Sequence, residues 1–385
     1  MNFVIFGIIL IEFCSARRCE REKRRIKELL RKNGELRIER DQLKHEKGRF
    51  WNEYFGEIDE LIAQKNELEK DIEKLNTKLE DAIKTTSTSA SSFSTTDSTS
   101  LTTTSPPITP SDVFILVIPY SADASYLQSG DGSSQISATI NAPSNNEYAD
   151  YAAHAIVNGK LHIFGEQADN KKIARLDDCT FNVLTVRLNE ERRSGHAALS
   201  IENGKKALIC FGYSGDIRKT CEIFDGSTTV STFSADWTHY RGGLGLYKNQ
   251  PASVGCHDEH HQKAETLSAS GWTALPDHPR RISDHSLVGL ENQSMLLIGG
   301  ADYAAQTGIW QLKDGNWNQI GELLKAEFHG SAIYIGRSIY YFGSVSKAIQ
   351  RLDFNETEEF QNVEEIGNTR VYLPVLFQTV SNYCI

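Results

Sequence analysis

Five side chains able to hold a metal stand together in this chain: His257, Asp258, Glu259, His260 and His261. Imidazoles and carboxylates at that density could bind Zn²⁺ or Cu²⁺. The HExxH motif of helical zinc sites is not matched, since Asp258 stands where it has glutamate, so polar loop residues are the first reading and a metal site the second. His196, His285 and His329 recur at matching points of a repeat described below, and recurrence in phase with a fold argues for structural hydrogen bonding. The chain holds no GxSxG, P-loop, dinucleotide fingerprint or paired-carboxylate motif. It reads as a binding or structural module without a cofactor, not as an enzyme.

Cysteine and asparagine offer covalent chemistry if the chain leaves the cell. Phe3 to Ile11 is an apolar run, and Cys14-Ser15-Ala16 places small residues where a signal peptidase cuts, so residues 1–16 are expected to be a signal peptide and Arg17 the mature N-terminus. Glu12 interrupts the run, and its positive charges follow it, an order that would suit an anchor. The run is about half the ~20 residues that a membrane span needs, so no membrane span is expected in the mature chain. Six cysteines then remain, Cys19, Cys179, Cys210, Cys221, Cys256 and Cys384, and an oxidising compartment should pair them. Cys210 and Cys221 flank a turn near Ser214-Gly215 and would face each other across a hairpin; two buried free thiols are the alternative. Asn292 and Asn355 each open an Asn-x-Ser/Thr triplet and are candidate glycosylation sites in a secreted protein.

The elements that must position these residues repeat. Apolar runs end at a glycine at Phe164-Gly165, Phe211-Gly212, Val254-Gly255, Ile298-Gly299-Gly300 and Phe342-Gly343, at intervals of 43 to 47 residues. That period marks stacked supersecondary units. Each unit reads as four short strands, for instance His196 to Glu202, Ala207 to Tyr213, Lys219 to Asp225 and Thr228 to Ser234. The period and the second-strand glycine resemble the kelch repeat, with one full glycine doublet at Gly299-Gly300 and one aromatic pair, Trp310 with Trp317. Trp272, Phe181 and Phe360 stand near the fourth-strand position elsewhere. The resemblance implies an all-β, six-bladed kelch-like β-propeller over residues 112–385, with seven blades the alternative. Val371 to Gln378 would join three N-terminal strands, Val113 to Pro119, Ser125 to Gln128 and Gln135 to Ile140, to close the ring.

Ahead of the propeller the pattern changes. Heptads run through Ile26, Asn33, Arg40 and Lys47 with Leu29, Leu36, Leu43 and Phe50, and after a four-residue skip through Ile58, Lys65, Ile72 and Leu79 with Leu61, Leu68, Leu75 and Ala82. An α-helical coiled coil over residues 20–84 follows, with a stutter. Asn33 at a core position favours a parallel dimer, and Cys19 lies where the copies would converge, as an interchain disulfide candidate. Residues 85–111 contain 19 Ser or Thr among 27 and no Lys or Arg, the composition of a disordered linker.

The expected partners are the chain itself, through the coil, and an extracellular protein or glycan. A net charge of −10 argues against nucleic acid. The expected function is that of a secreted oligomeric binding protein acting in the extracellular matrix or at cell surfaces. Loops 166–172, 214–219, 257–262 and 301–307 would form its contact rim, and olfactomedin-type proteins share the coil-plus-propeller plan. The alternatives are a propeller enzyme with a metal or channel site, resembling galactose oxidase, and an intracellular kelch scaffold.

Overall fold

The computed structural model describes residues 108–143, 149–213 and 215–385, and before them the single helical residue Lys74. The expected signal peptide, the coiled coil with Cys19 and nearly all of the linker lie outside the described residues. Six antiparallel sheets are arranged as the blades of an all-β propeller. The first carries β1 (Phe114–Ile118), β2 (Tyr126–Ser129) and β3 (Gln135–Ser137). The second holds β4 (Ala153–Val157), β5 (Lys160–Phe164), β6 (Ile173–Asp177) and β7 (Thr180–Val183). The third holds β8 (Ala197–Ile201), β9 (Lys206–Cys210), β10 (Cys221–Phe224) and β11 (Thr229–Ser231). The fourth follows with β12 (Gly245–Tyr247), β13 (Gln250–Val254), β14 (Ala264–Ser268) and β15 (Gly271–Leu275). Five strands make up the fifth: β16 (Ser286–Gly289), β17 (Met295–Ile298), β18 (Ala301–Asp302), β19 (Ala304–Lys313) and β20 (Asn316–Glu327). The sixth holds β21 (Ser331–Ile335), β22 (Ser338–Phe342), β23 (Ala348–Phe354) and β24 (Phe360–Asn368), and β25 (Val375–Thr379) returns to the first blade. There it pairs with β1 in register from Phe114↔Thr379 to Ile118↔Val375. The ring is therefore closed by both ends of the domain, with six blades.

The apolar runs have a simple cause. The second strand of a blade is covered on both faces by neighbouring blades, so its side chains are largely apolar on both faces instead of alternating with polar ones. Successive residues serve opposite seams. In β1, Leu116 and Ile118 pack against the second blade while Ile115 and Val117 pack against the sixth. In β17, Leu296 and Ile298 face the sixth blade while Met295 and Leu297 face the fourth. Six apolar clusters result, one at each seam. The glycine after the run makes room for the chain as it crosses to the next blade. A Cβ on Gly165 would meet the Arg192 carbonyl oxygen at 2.4 Å, and one on Gly255 the Ile282 carbonyl oxygen at 2.2 Å.

Polar struts repeat with the blades. Arg192, fully buried on the loop entering the third blade, donates from Nε to Glu222 Oε1 at 2.8 Å and from Nη1 to the carbonyls of Phe211 and Thr220. The loop entering the fourth blade sends His239 to the matching partners, Gly255 O at 2.9 Å and Glu265 Oε1 at 3.0 Å. Each third-strand glutamate also caps amides of the entering loop, Asn189 for Glu222 and Asp236 with Trp237 for Glu265.

The hairpin disulfide is present: Cys210 and Cys221 are directly opposed in β9 and β10, with Cα atoms 4.1 Å apart. A second bridge, Cys179–Cys384, joins the turn between β6 and β7 to the tail that follows β25, across 205 residues of sequence. The expectation that all the remaining cysteines pair is corrected at Cys256. That thiol is fully buried beside Thr238 Oγ1 at 3.6 Å, and the other four described cysteines are engaged with one another. Closing so long a loop restricts the unfolded chain strongly. The Cys179→Ala/Cys384→Ala variant is expected to lose about 2–5 kcal/mol in urea unfolding, and an unchanged midpoint would show that the tail adds nothing to closure.

The repeat that begins at His285 departs from expectation in its second half. The stretch 301–307, expected as a loop, forms β18 and the start of β19, and β19 and β20 are 10 and 12 residues long, well beyond the short strands expected of a unit. Register shifts between Gln306 and Gly308 and between Ile309 and Trp310 let the long hairpin bend.

Candidate functional site

Strands alternate in direction within each blade, so the loops that enter a blade and the loops that join its second and third strands emerge on one face. On that face a residue two positions ahead of each innermost strand, or four ahead in the fourth blade, forms a collar: Tyr151, Gly195, Arg241, Asp284, His329 and Leu373. All six have positive φ, between 43° and 63°, in the left-handed region that side chains other than glycine seldom adopt. Backbone bonds link the collar from blade to blade, Arg241 N to Gly195 O at 3.0 Å, Asp284 N to Arg241 O at 2.8 Å, and His329 N to Asp284 O and Leu373 N to His329 O at 3.0 Å each. Four strained non-glycine residues at one aperture, Arg241, Asp284, His329 and Leu373, are held by this network, as strain at functional sites commonly is.

The collar turns a charged cluster toward the channel. Arg241 Nη1 lies 3.3 Å from Asp284 Oδ1, and His329 Nε2 lies 3.4 Å from the same oxygen and 3.5 Å from Arg241 Nη1. The His329 ring stacks on Tyr372 with centroids 4.8 Å apart, and the Tyr372 hydroxyl is 3.4 Å from that of Tyr151. Burial holds the His329 imidazole down at about 4, outweighing the raising effect of Asp284, so the ring is neutral at pH 7. Arg241 also lies over the Tyr240 ring at 5.2 Å. Gly195 is required there, because a Cβ would come within 2.2 Å of that ring. Below the collar the six innermost strands enclose a cavity of about 540 Å³. Its wall mixes aliphatic groups such as Ile156, Leu246 and Val288 with Ser200, Ser286 and His285.

The recurring histidines separate in the structure. His196 and His285 both immediately precede an innermost strand, and His196 Nε2 bonds the Phe164 carbonyl at 2.8 Å, a structural link between blades. His329 is out of phase by one residue: it occupies the collar position itself, level with Asp284 and Gly195. The expected matching phase is corrected there, and its side chain joins the charged cluster instead of a strand. Neither ring nitrogen of His285 has a hydrogen-bond partner.

The five clustered chelating residues face different partners. His257 Nδ1 contacts Asp258 at 2.8 Å, Asp258 pairs with Arg218 at 2.9 Å, His260 Nδ1 meets Thr238 Oγ1 at 3.0 Å, and Glu259 is 4.0 Å from His260. His261 holds the Cys256 carbonyl through Nδ1 at 2.7 Å and takes Arg281 on Nε2. Among the described residues no group of three or more His, Cys, Asp or Glu side chains is placed to hold a metal ion. Of the two glycosylation candidates, Asn292 is turned inward, its Nδ2 buried and its Oδ1 accepting from Ser294. Asn355 lies in an exposed turn with Thr357 bonded to its Oδ1.

Four of the joining loops on this face carry an exposed apolar side chain, Tyr120, Tyr213, Tyr303 and Val345, with Tyr303 90% exposed. The aperture thus offers a guanidinium, a carboxylate, a neutral imidazole and two phenols inside a ring of three outward tyrosines and a valine. Such a set can hydrogen-bond a polar ligand and cover its apolar faces.

No family model matches the sequence, and a search of curated proteins finds no match. Among solved structures, one described as the structure of YjhT is similar, with a TM-score of 0.53 and 13% identity, over 67% of this chain and 99% of that one. At that identity the likeness bears on the fold alone: the described residues between 108 and 385 build a six-bladed β-propeller, similar in fold to that structure.

Proposed function

We propose that the protein is a secreted, oligomeric binding protein whose kelch-like propeller recognises an extracellular protein or glycan through the collar face. The observation that carries this reading is the coincidence on one face of a charged, partly buried cluster and outward side chains at Tyr120, Tyr213, Tyr303 and Val345. Exposed aromatics around a polar centre are the composition of recognition surfaces. Two disulfides support an oxidising compartment. Oligomerisation through residues 20–84 would add avidity, since the second contact of a linked pair forms at high effective concentration.

The test uses protein collected from culture medium, which should begin at Arg17 and sediment as an oligomer. Immobilised, it should retain a component of an extracellular-matrix extract. The Tyr120→Ala/Tyr213→Ala variant should bind at least about thirtyfold more weakly at the same melting temperature, because interface aromatics are each worth ~1–2 kcal/mol or more while these two are exposed in the free protein. Equal retention by the variant, or none by the wild type, rejects the reading.

A further inference from the structure

A second concavity lies on the seam between the fourth and fifth blades, formed by the entering loop 278–282 and the β19–β20 hairpin. It encloses about 70 Å³ and is lined by His278, Arg280, Arg281, Gln306, Trp310 and Glu322 among others. That is roughly twice the share of liquid volume that one water takes, enough for an oxyanion and too little for a whole sugar ring. From Trp310 and these polar groups we infer that the pocket binds an anionic saccharide unit, its carboxylate or sulfate seated between Arg280 and Arg281.

Three independent features support this. First, the charge is uncompensated: in a chain with a net charge of −10, no carboxylate of the described residues forms an ion pair with Arg280 or Arg281. The one acid in the lining, Glu322, is exposed and engaged by Gln319 Nε2 at 3.1 Å. Second, Arg281 is held in place before any ligand arrives. His261 Nδ1 lies 2.7 Å from the Cys256 carbonyl and so carries the proton, leaving Nε2 to accept from Arg281 Nη1. The Arg281 Nη2 group donates to the His257 carbonyl at 3.1 Å, and the guanidinium lies over the Tyr303 ring at 4.7 Å. The loop whose composition suggested a metal thus positions a cation, and a preorganised cation loses less entropy on binding. Third, His278 is 1% exposed and lies 5.0 Å from both Trp310 and Trp317, with its Nε2 unpartnered. Its Nδ1 lies 2.8 Å from the Arg280 carbonyl and 3.3 Å from the Arg280 amide nitrogen; the shorter contact, to a group that can only accept, assigns the proton to Nδ1 and leaves Nε2 as an acceptor for a hydroxyl. An anion beside hydroxyls against an indole wall describes a uronate or a sulfated sugar, and bare phosphate would satisfy only the arginines.

The inference adds a ligand class to the reading above and is tested apart from it. Full-length protein is titrated calorimetrically with a heparin-derived tetrasaccharide, a hyaluronan tetrasaccharide and neutral chitotetraose. Saturable, salt-weakened binding of the first alone assigns sulfate, and binding of the second as well assigns carboxylate. Arg280→Gln, a change at an exposed side chain, should weaken binding about tenfold, the worth of a charge-assisted hydrogen bond, while Tyr120→Ala/Tyr213→Ala should leave it unchanged. Chitotetraose binding as tightly, an Arg280→Gln affinity equal to wild type, or no binding of either anionic sugar overturns the proposal.

Discussion

Acidification from pH 7 to pH 4 is expected to unfold the propeller, with stability beginning to fall near pH 6.5. His154, His196, His278 and His329 are held at about 4, and His285 at about 3, in each case chiefly by burial. In the unfolded chain a histidine takes its proton near pH 6.5. A folded value below the unfolded one means that the unfolded state binds more protons throughout the window between the two, so stability drops as pH falls through it. Each histidine then withdraws about 3 kcal/mol by pH 4. Five together match the whole ~5–15 kcal/mol of a typical domain. Glu265, held below its ordinary range by His239 and two amides against the raising effect of burial, gives its own loss only at lower pH. Urea midpoints measured from pH 7.5 to 4.5 should show this decline, with a slope approaching five protons. A midpoint that stays flat down to pH 5 would mean that these imidazoles are solvated.

Glu222→Ala should be the most damaging single polar change, costing about 3–5 kcal/mol, because it strands the fully buried Arg192 guanidinium without a counter-charge. Removing both charges should be far milder. Arg192→Met/Glu222→Leu fills the same space with apolar groups and leaves the Asn189 amide without its acceptor and the Phe211 carbonyl without its arginine donor, at about 1–3 kcal/mol. The comparison separates the penalty of an orphaned charge from the worth of the pair. If the single and the double variant lost the same stability by urea unfolding, the strut would be acting through packing alone.

Both buried networks depend on contacts between blades, and that decides what could be read from the chain. The second strands were legible because burial on both faces favours a largely apolar run, and the glycine after it answers to a carbonyl of the crossing chain at Gly165, Gly255 and Gly299. Cys210–Cys221 was legible because both partners sit on one hairpin. Cys179–Cys384 was not, since tertiary closure alone brings the C-terminal tail to the second blade. The β19–β20 extension escaped notice because Gly308 and Gly321, which usually punctuate strands, sit inside it at bulged or crowded positions. The collar is the hardest case. Tyr151, Arg241, Asp284, His329 and Leu373 share a backbone conformation and no side-chain type, so no residue pattern announces them. The signal that remained was their place shortly before each innermost strand, two residues ahead in five blades and four at Arg241, and the one-residue offset of His329 from His285 is what gives it away.

The closure of the first blade also has a mechanical consequence. Tension arriving along the chain ahead of Phe114 enters β1, which is clamped on both sides, by five residue pairs to β25 and four to β2. The load is shared across those rungs in shear instead of peeling them one at a time from a free edge. The covalent tie from Cys384 to the second blade keeps β25 from being drawn out with β1. A ring fastened in this way can be pulled by its leading end while the collar on its face keeps its shape.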